Sequence, residues 1–131
     1  MTARDEARLV GVHPALVDKL RLILADMDGA HSPMFVVQGV RTDEQQEALY
    51  AQGRTEVGEI VTYKDGVTTR SNHQVHDDGL GYAVDCAFVD VKPFDPLHPW
   101  GHYGTLVEAA GLKWGGHFLG FADLPHAELP A

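Results

Sequence analysis

Two segments of the 131-residue sequence, 71–85 and 114–128, contain the side chains best suited to metal chemistry. Their imidazole and carboxylate groups include those of His73, His76, Asp85, Asp123 and His126. A catalytic zinc site uses three protein ligands, usually His and carboxylate, and keeps a fourth position open. His73, Asp85 and His126 would supply such a set.

Asp85 lies in an apolar stretch that alternates as a strand does. Tyr82, Val84, Cys86 and Phe88 fall on one face, which we predict to be the core, and Asp85 lies between two alanines on the other. A carboxylate in such a strand loses hydration unless a cation compensates it. The sequence leaves two partners open, an Arg side chain or a metal ion that His73 also binds.

The second segment places Asp123 three residues before His126, with Pro125 between them. Pro125 favours an extended turn, from which one side chain could bind a metal and the other could reach a nearby water. A carboxylate in that place could take a proton from the attacking water and pass it to a leaving amine. The alternative is that both residues are solvated near the C-terminus.

The elements that must position these residues can be predicted from periodicity and cap signals. Apolar residues at helical spacing predict a helix over 14–28, and the run Met34-Phe35-Val36-Val37 predicts a buried strand. Thr42 and Gln45 form a capping box that begins a second helix, which we expect to end near Gln52.

Further along the chain, we predict a hairpin in which 59–63 and 67–70 flank an Asp-Gly turn. A strand should follow within 79–89, then a third helix over 102–110. This order favours an α+β fold over a regular βαβ repeat. We expect one small domain over 1–131, with a short antiparallel sheet, helices packed on it and the metal in a surface cleft.

Composition excludes several classes of protein. Ten Lys and Arg against nineteen Asp and Glu give a net charge of −9, which argues against nucleic-acid binding. The sequence contains no run of eighteen apolar residues and its N-terminus does not resemble a signal peptide, so we expect neither membrane insertion nor secretion. Its single Cys86 rules out an internal disulfide and reads as a small buried apolar residue.

Five short motifs in order resemble the zinc peptidase family of the VanX and VanY D-Ala-D-Ala peptidases and the phage and bacterial L-alanyl-D-glutamate endopeptidases. They are Gly39-Val40-Arg41-Thr42, Ser71-Asn72-His73, Gly81-Tyr82-Ala83-Val84-Asp85, Trp114-Gly115-Gly116 and Asp123-Leu124-Pro125-His126. Each motif is weak alone, but their order is specific, and the resemblance extends from about residue 34 to 129.

The resemblance implies a role for each matching residue. His73, Asp85 and His126 would bind Zn²⁺, and Asp123 would be the general base. Arg41 would stabilise the oxyanion on the scissile carbonyl. Without the resemblance, a surface ion pair would be the favoured interpretation of Arg41, although its place between a buried strand and a helix cap suits a residue that faces the site. Three further residues are candidates for substrate binding, each with a structural alternative: Ser71 as a turn residue, His117 as a surface residue and Trp114 as part of the core.

The chain departs from the family pattern in two places. The spacing of twelve residues between His73 and Asp85 includes an insertion, which makes His76 a rival ligand. We prefer His73 because Ser71 and Gln74 flank it as in the family. Ala127 replaces a more usual aromatic residue, and Glu128 follows where the family often has Glu.

These observations predict a zinc metallopeptidase that cuts the L-alanyl-D-glutamate bond of peptidoglycan stem peptides. We expect a monomeric phage endolysin without a separate wall-binding domain, which stays in the host cytoplasm until a membrane pore admits it to the periplasm. The alternatives are a D-Ala-D-Ala carboxypeptidase or dipeptidase of the same family, and a non-catalytic module that binds wall peptides.

Overall fold

The computed structural model describes residues 1–130 and confirms the α+β fold with a short antiparallel sheet. In chain order the helices and strands are α1 (Ala3–Arg8), α2 (Pro14–Gly29), β1 (Met34–Gln38), α3 (Asp43–Ala51), β2 (Ala83–Phe88), α4 (Trp100–Ala109), β3 (Lys113–Trp114) and β4 (His126–Glu128). Within residues 1–130, no helix combines the length and the apolarity that a membrane crossing needs.

The four strands pair antiparallel in the order β1-β2-β4-β3. Asp85 lies opposite His126 on one side and opposite Gln38, beyond a register shift in β1, on the other. Because residues directly opposite each other share a face, these three side chains form a row across one face of the sheet. The fold thus brings together polar residues from three distant parts of the sequence.

The opposite face of the sheet forms the hydrophobic core. Val36, Val84 and Cys86 are fully buried there, and Ala127 of β4 joins them. The helix α2 packs its predicted apolar face against β1 and α4. That face consists of Leu16, Leu20, Ile23, Leu24 and Met27. The alternation predicted for 82–88 is confirmed at Val84, Cys86 and Phe88. It is wrong at Tyr82, which precedes β2 and lies half-buried outside the core, against His76 and Asp78.

The ends of the predicted helices lie close to their sequence signals. Pro14 is the first residue of α2, and Thr42 caps α3 through a capping box with Gln45. A helix that the sequence analysis did not predict, α1, begins with a second capping box between Thr2 and Asp5. Asp5 also accepts a hydrogen bond from the backbone N–H of Val36 at 2.8 Å, which ties α1 to β1.

The predicted hairpin over 59–70 is wrong, because the described segment contains a turn but no paired strands. Asp65 accepts hydrogen bonds from the backbone N–H groups of Val67, Thr68 and Thr69, so the turn is real. The backbone beside the turn forms hydrogen bonds with other parts of the chain instead of a paired strand. Gln46 donates to the carbonyl of Lys64 at 2.6 Å, and Gln74 donates to the carbonyl of Gly66 at 3.1 Å.

Candidate metal centre

Three side chains converge on the polar face of the sheet. His73 Nε2 lies 3.3 Å from Asp85 Oδ2, and His126 Nδ1 lies 3.4 Å from Asp85 Oδ1. The two imidazole nitrogens are 3.2 Å apart. One ligand-type atom from each residue lies within 4.8 Å of the others. The structure therefore brings together the three residues predicted to bind the metal.

A tight turn delivers His73 to this face. Its backbone N–H donates to Ser71 Oγ at 3.2 Å, and the N–H of Ser71 donates to Gln74 Oε1 at 2.8 Å. The ring Nδ1 lies 2.8 Å from the carbonyl oxygen of Gly39. Because a carbonyl only accepts, Nδ1 carries the proton, and Nε2 presents its lone pair to the other two residues.

The surroundings of Asp85 favour a cation. Its Oδ1 is buried and has no hydrogen-bond partner within residues 1–130. Burial opposes ionisation of Asp85, yet the facing imidazoles of His126 and His73 outweigh it and lower the pKa of this carboxyl. Burial likewise opposes charge on His126, but Asp85 and Glu128 raise the pKa of its imidazole to about 9. Two imidazoles and a carboxylate are a donor set that suits zinc, so these residues fit the predicted metal.

Arg41 is the nearest guanidinium to Asp85, but it does not form a close ion pair. Its Nη2 lies 3.9 Å from Asp85 Oδ2, farther than either imidazole. The guanidinium donates instead to Gln38 Oε1 at 2.9 Å and to Gln46 Oε1 at 2.7 Å. Of the two partners that the sequence left open for Asp85, the geometry favours a metal ion, with Arg41 held beside the site.

Asp123 lies at the edge of the centre, where solvent reaches it. Its Oδ2 is 3.8 Å from His126 Nδ1, and 39% of its side chain is exposed. Burial and the nearby charge of Asp85 raise the pKa of Asp123, although His126, His73 and Arg41 act in the opposite direction. A carboxylate with a raised pKa beside a candidate metal centre is suited to accept and return a proton.

These residues line a surface cleft of about 690 Å³. Ser71 lies in its wall beside Arg41, with Oγ 3.5 Å from Arg41 Nη1. The lining also includes lysines and aromatic and aliphatic residues, among them Lys64, Lys113, Val61, Tyr63, Phe94, Phe118, Leu119 and Phe121. The cleft thus offers both cationic and apolar contacts to a bound ligand.

Trp114 and His117 lie outside the residues that line this cleft. Trp114 is buried in the core and donates from Nε1 to the carbonyl of Leu124 at 2.8 Å. His117 is exposed, with Nδ1 3.0 Å from Glu108 Oε1. Their predicted contact with substrate stays a prediction that this geometry does not favour.

The glycines after Trp114 have a packing role. A Cβ on Gly115 would lie 2.2 Å from the carbonyl oxygen of Asp123, and one on Gly116 would lie 2.3 Å from the indole of Trp114. The N–H of Asp123 donates to the carbonyl of Gly115 at 2.8 Å. The Trp-Gly-Gly motif therefore fixes the segment that carries Asp123 and His126.

His76, the rival ligand, does not join the three converging residues, and Cys86 is buried as predicted. His76 Nε2 lies 3.0 Å from Asn72 Oδ1, and its ring stacks on Tyr82. Cys86 is fully buried on the core face, and burial raises the pKa of its thiol, which therefore stays protonated and unreactive.

Sequence reasoning assigned no positioning role to three residues that hold the site together, Gln38, Gln46 and Glu128, although it noted Glu128 after His126. Glu128 Oε1 lies 2.7 Å from His126 Nε2. Its signal is spacing, because a residue two positions after His126 on a strand shares its face. No comparable signal marks Gln38 and Gln46, which meet Arg41 only in the folded chain.

Comparisons with known proteins agree with the motifs. The chain matches no protein-family model. It is 26% identical over 122 residues to the peptidoglycan L-alanyl-D-glutamate endopeptidase CwlK of Bacillus subtilis (strain 168), which covers 90% of this chain and 73% of CwlK. The crystal structure of the L-Ala D-Glu endopeptidase ChiX of Serratia marcescens superposes with a TM-score of 0.64 at 26% identity, over 99% of this chain and 89% of ChiX.

A third comparison concerns the fold alone. The vancomycin resistance D,D-dipeptidase VanXYg, solved with a D-Ala-D-Ala phosphinate analogue, superposes with a TM-score of 0.60 at 20% identity. The match covers 90% of this chain and 50% of VanXYg. All three proteins are peptidases of the kind that the five motifs predicted, so the predicted resemblance is confirmed.

Proposed function

We propose, on the premise that this chain is a relative of the VanX and VanY peptidases and the L-alanyl-D-glutamate endopeptidases, that it is a zinc peptidase of peptidoglycan. Its substrate would be the stem peptide, cut at the L-alanyl-D-glutamate bond. The observation that carries this proposal is the convergence of His73, Asp85 and His126 in a cleft that also contains Asp123 and Arg41. The choice of bond is supported by the names of CwlK and ChiX.

His73, Asp85 and His126 would hold the zinc ion. When bound, zinc supplies a Lewis acid that polarises the scissile carbonyl and makes a water molecule more acidic. Asp123 then takes a proton from the attacking water and returns it to the leaving amine. Its partial exposure at the edge of the cleft gives it access to both.

Arg41, which lines the cleft, would stabilise the oxygen on which negative charge develops. Gln38 and Gln46 hold its guanidinium before substrate arrives, so little reorganisation is needed during the reaction. A module that only binds wall peptides would need neither Arg41 nor Asp123. The presence of both beside the candidate metal centre supports catalysis.

The test combines metal analysis with digestion of purified peptidoglycan. The zinc-loaded protein should bind one zinc per chain and release fragments with new N-terminal D-Glu, which mass spectrometry identifies. Release of free D-Ala or D-Ala-D-Ala would make it a D,D-peptidase instead. Zinc binding without any cleavage would indicate a binding module. Asp123→Asn is the matched inactive control.

The biological setting is a separate part of the proposal. We propose that the enzyme is a monomeric phage endolysin that acts from inside the cell, because the motifs resemble those of phage endopeptidases. Expression in a Gram-negative host should cause lysis only when a pore-forming protein is co-expressed. Lysis without the pore, or none with it, would contradict this role, and gel filtration would test the monomer.

A further inference from the structure

A chain of hydrogen bonds extends from His126 away from the candidate metal centre. His126 Nε2 lies 2.7 Å from Glu128 Oε1, and Asn72 Nδ2 donates to Glu128 Oε2 at 2.6 Å. His76 Nε2 lies 3.0 Å from Asn72 Oδ1. These hydrogen bonds thus connect His126, a predicted metal ligand, with the inserted loop around His76. The proposed reaction gives that loop no role.

The proton positions along this chain follow from its chemistry. A carboxylate only accepts, so the amide of Asn72 must turn its NH₂ group towards Glu128. The amide oxygen then faces His76, whose Nε2 must donate. At the other end, Glu128 requires a proton on His126 Nε2. In the neutral ring, which is the form that binds a metal, the lone pair then lies on Nδ1, the nitrogen that faces His73 and Asp85.

Several contacts hold this chain of hydrogen bonds in place. Glu128 is 8% exposed and shares a strand face with His126. The carbonyl of Asn72 accepts a hydrogen bond from the N–H of Tyr82 at 2.8 Å. The rings of His76 and Tyr82 stack with their centroids 3.8 Å apart, and Tyr82 donates to Asp78 at 2.5 Å. The insertion therefore anchors the outer end of the chain.

We propose that Glu128 and Asn72 are positioning residues that fix the ring and the tautomer of His126, so that Nδ1 is the nitrogen offered to zinc. Neither residue is one of the three that converge on the candidate metal, although both line the cleft. Outer partners of this kind commonly change metal affinity by about 10–100-fold when they are replaced. The inference rests on the metal centre of the proposed function, but not on which bond the enzyme cuts.

The experiment measures zinc affinity by competition with a chromophoric chelator. Glu128→Gln should weaken zinc binding by about 10–100-fold, because the new amide loses the charge and turns a donor towards Asn72. Asn72→Asp should weaken it at least about tenfold, because two carboxylates then face each other. Circular dichroism establishes that each variant is folded.

The decisive variant combines both substitutions. In N72D/E128Q the amide at position 128 can accept from His126 and donate to the carboxylate at position 72, which still accepts from His76. Every hydrogen bond of the parent network is restored, and the negative charge lies at position 72 instead of position 128. The double variant should therefore bind zinc at least about tenfold more tightly than N72D alone. A smaller recovery of zinc affinity would overturn the proposal, and so would a double variant in which the losses of the two single variants add.

Two further measurements complete the test. In the zinc-loaded parent, ¹⁵N NMR should find His126 protonated at Nε2 and metal-bound at Nδ1, and the opposite tautomer would overturn the proposal. Glu108→Gln is the matched control, because Glu108 forms a similar pair with the exposed His117 and should leave zinc affinity unchanged. A parent that binds no zinc would refute the proposed function as well. A parent that binds zinc with the same affinity as E128Q would refute this inference alone.

Discussion

At the scale of single residues, Asp85 and Asp123, two of the three carboxylates around His126, differ in their surroundings. Asp85 lies between two imidazoles that lower its pKa, whereas Asp123 lies at the edge of the cleft with a raised pKa. A group that stays ionised among imidazoles suits metal binding, and a group that exchanges protons with solvent suits general-base catalysis. The same residue type would thus take two different roles in the proposed reaction.

Replacing Asp123 with Asn should separate these roles. The amide keeps the size of the side chain but cannot accept a proton, so turnover should fall by about 10² or more. Zinc content should match that of the parent, because Asp123 is not one of the three converging residues. Loss of zinc from the variant would make Asp123 a ligand, and retained turnover would assign the base to another group.

Arg41 offers a second test at this scale. Arg41→Ala should lower kcat by roughly 10²–10³ with little change in zinc content, because the guanidinium acts on charge that develops in the transition state. The measurement is steady-state hydrolysis of a stem-peptide substrate. An unchanged kcat would remove Arg41 from the reaction and leave it a structural partner of Gln38 and Gln46.

The rival histidines can be distinguished in the same way. His73→Ala removes a converging nitrogen and should abolish measurable zinc binding. His76→Ala removes only the outermost donor of the polar chain, so the loss should stay below about tenfold. Chelator competition measures both affinities. If His76→Ala abolished binding and His73→Ala did not, the assignment of the ligand would be reversed.

At the scale of helices and strands, local sequence signals predicted the elements whose ends depend on local interactions. The predicted helix over 14–28 and strand over 34–37 each end within one residue of α2 and β1, because periodicity and caps act over a few residues. The predicted hairpin over 59–70 failed for the opposite reason. Gln46 and Gln74, which are distant in sequence, take up its backbone carbonyls, and no local pattern reports such partners.

Asp5 joins α1 to β1, and its removal should weaken this junction. Asp5→Ala leaves the buried N–H of Val36 without an acceptor, which should cost about 1–3 kcal/mol of unfolding free energy at pH 7. Asp5→Asn keeps an acceptor oxygen and should cost less. Urea denaturation measures both, and equal stability of parent and Asp5→Ala would show that the junction contributes nothing.

Asp5 should also make the stability of the folded protein depend on pH. Burial opposes ionisation of Asp5, but hydrogen bonds from Thr2 and Val36 lower its pKa below the ordinary 3.8. Because the folded pKa lies below the unfolded value, its contribution is present above about pH 4 and is lost as the pH falls further. The parent should therefore lose more unfolding free energy than Asp5→Asn as the pH falls below 4. If the unfolding free energies of the two proteins fell in parallel, the lowered pKa of Asp5 would be contradicted.

At the scale of the whole molecule, motif order predicted which residues meet but not how. The five motifs identified His73, Asp85 and His126, yet only the pairing of β2 with β4 explains why Asp85 and His126 are neighbours. Packing of Gly115 and Gly116 likewise explains a motif that the sequence presented only as a resemblance. Long-range register and close packing are properties of the complete fold, so a single sequence does not display them.

The same long-range assembly predicts that zinc stabilises the folded chain. The three residues come from a turn near residue 73, from β2 and from β4, so an ion bound to all three would link segments that separate on unfolding. Zinc in thousandfold excess over its Kd would add about 4 kcal/mol, a rise in Tm on the order of 10 °C. Calorimetry of the zinc-loaded protein, with and without a chelator, measures this difference. His73→Ala should show no such response, and a parent whose Tm ignores the chelator would contradict a metal shared by the three segments.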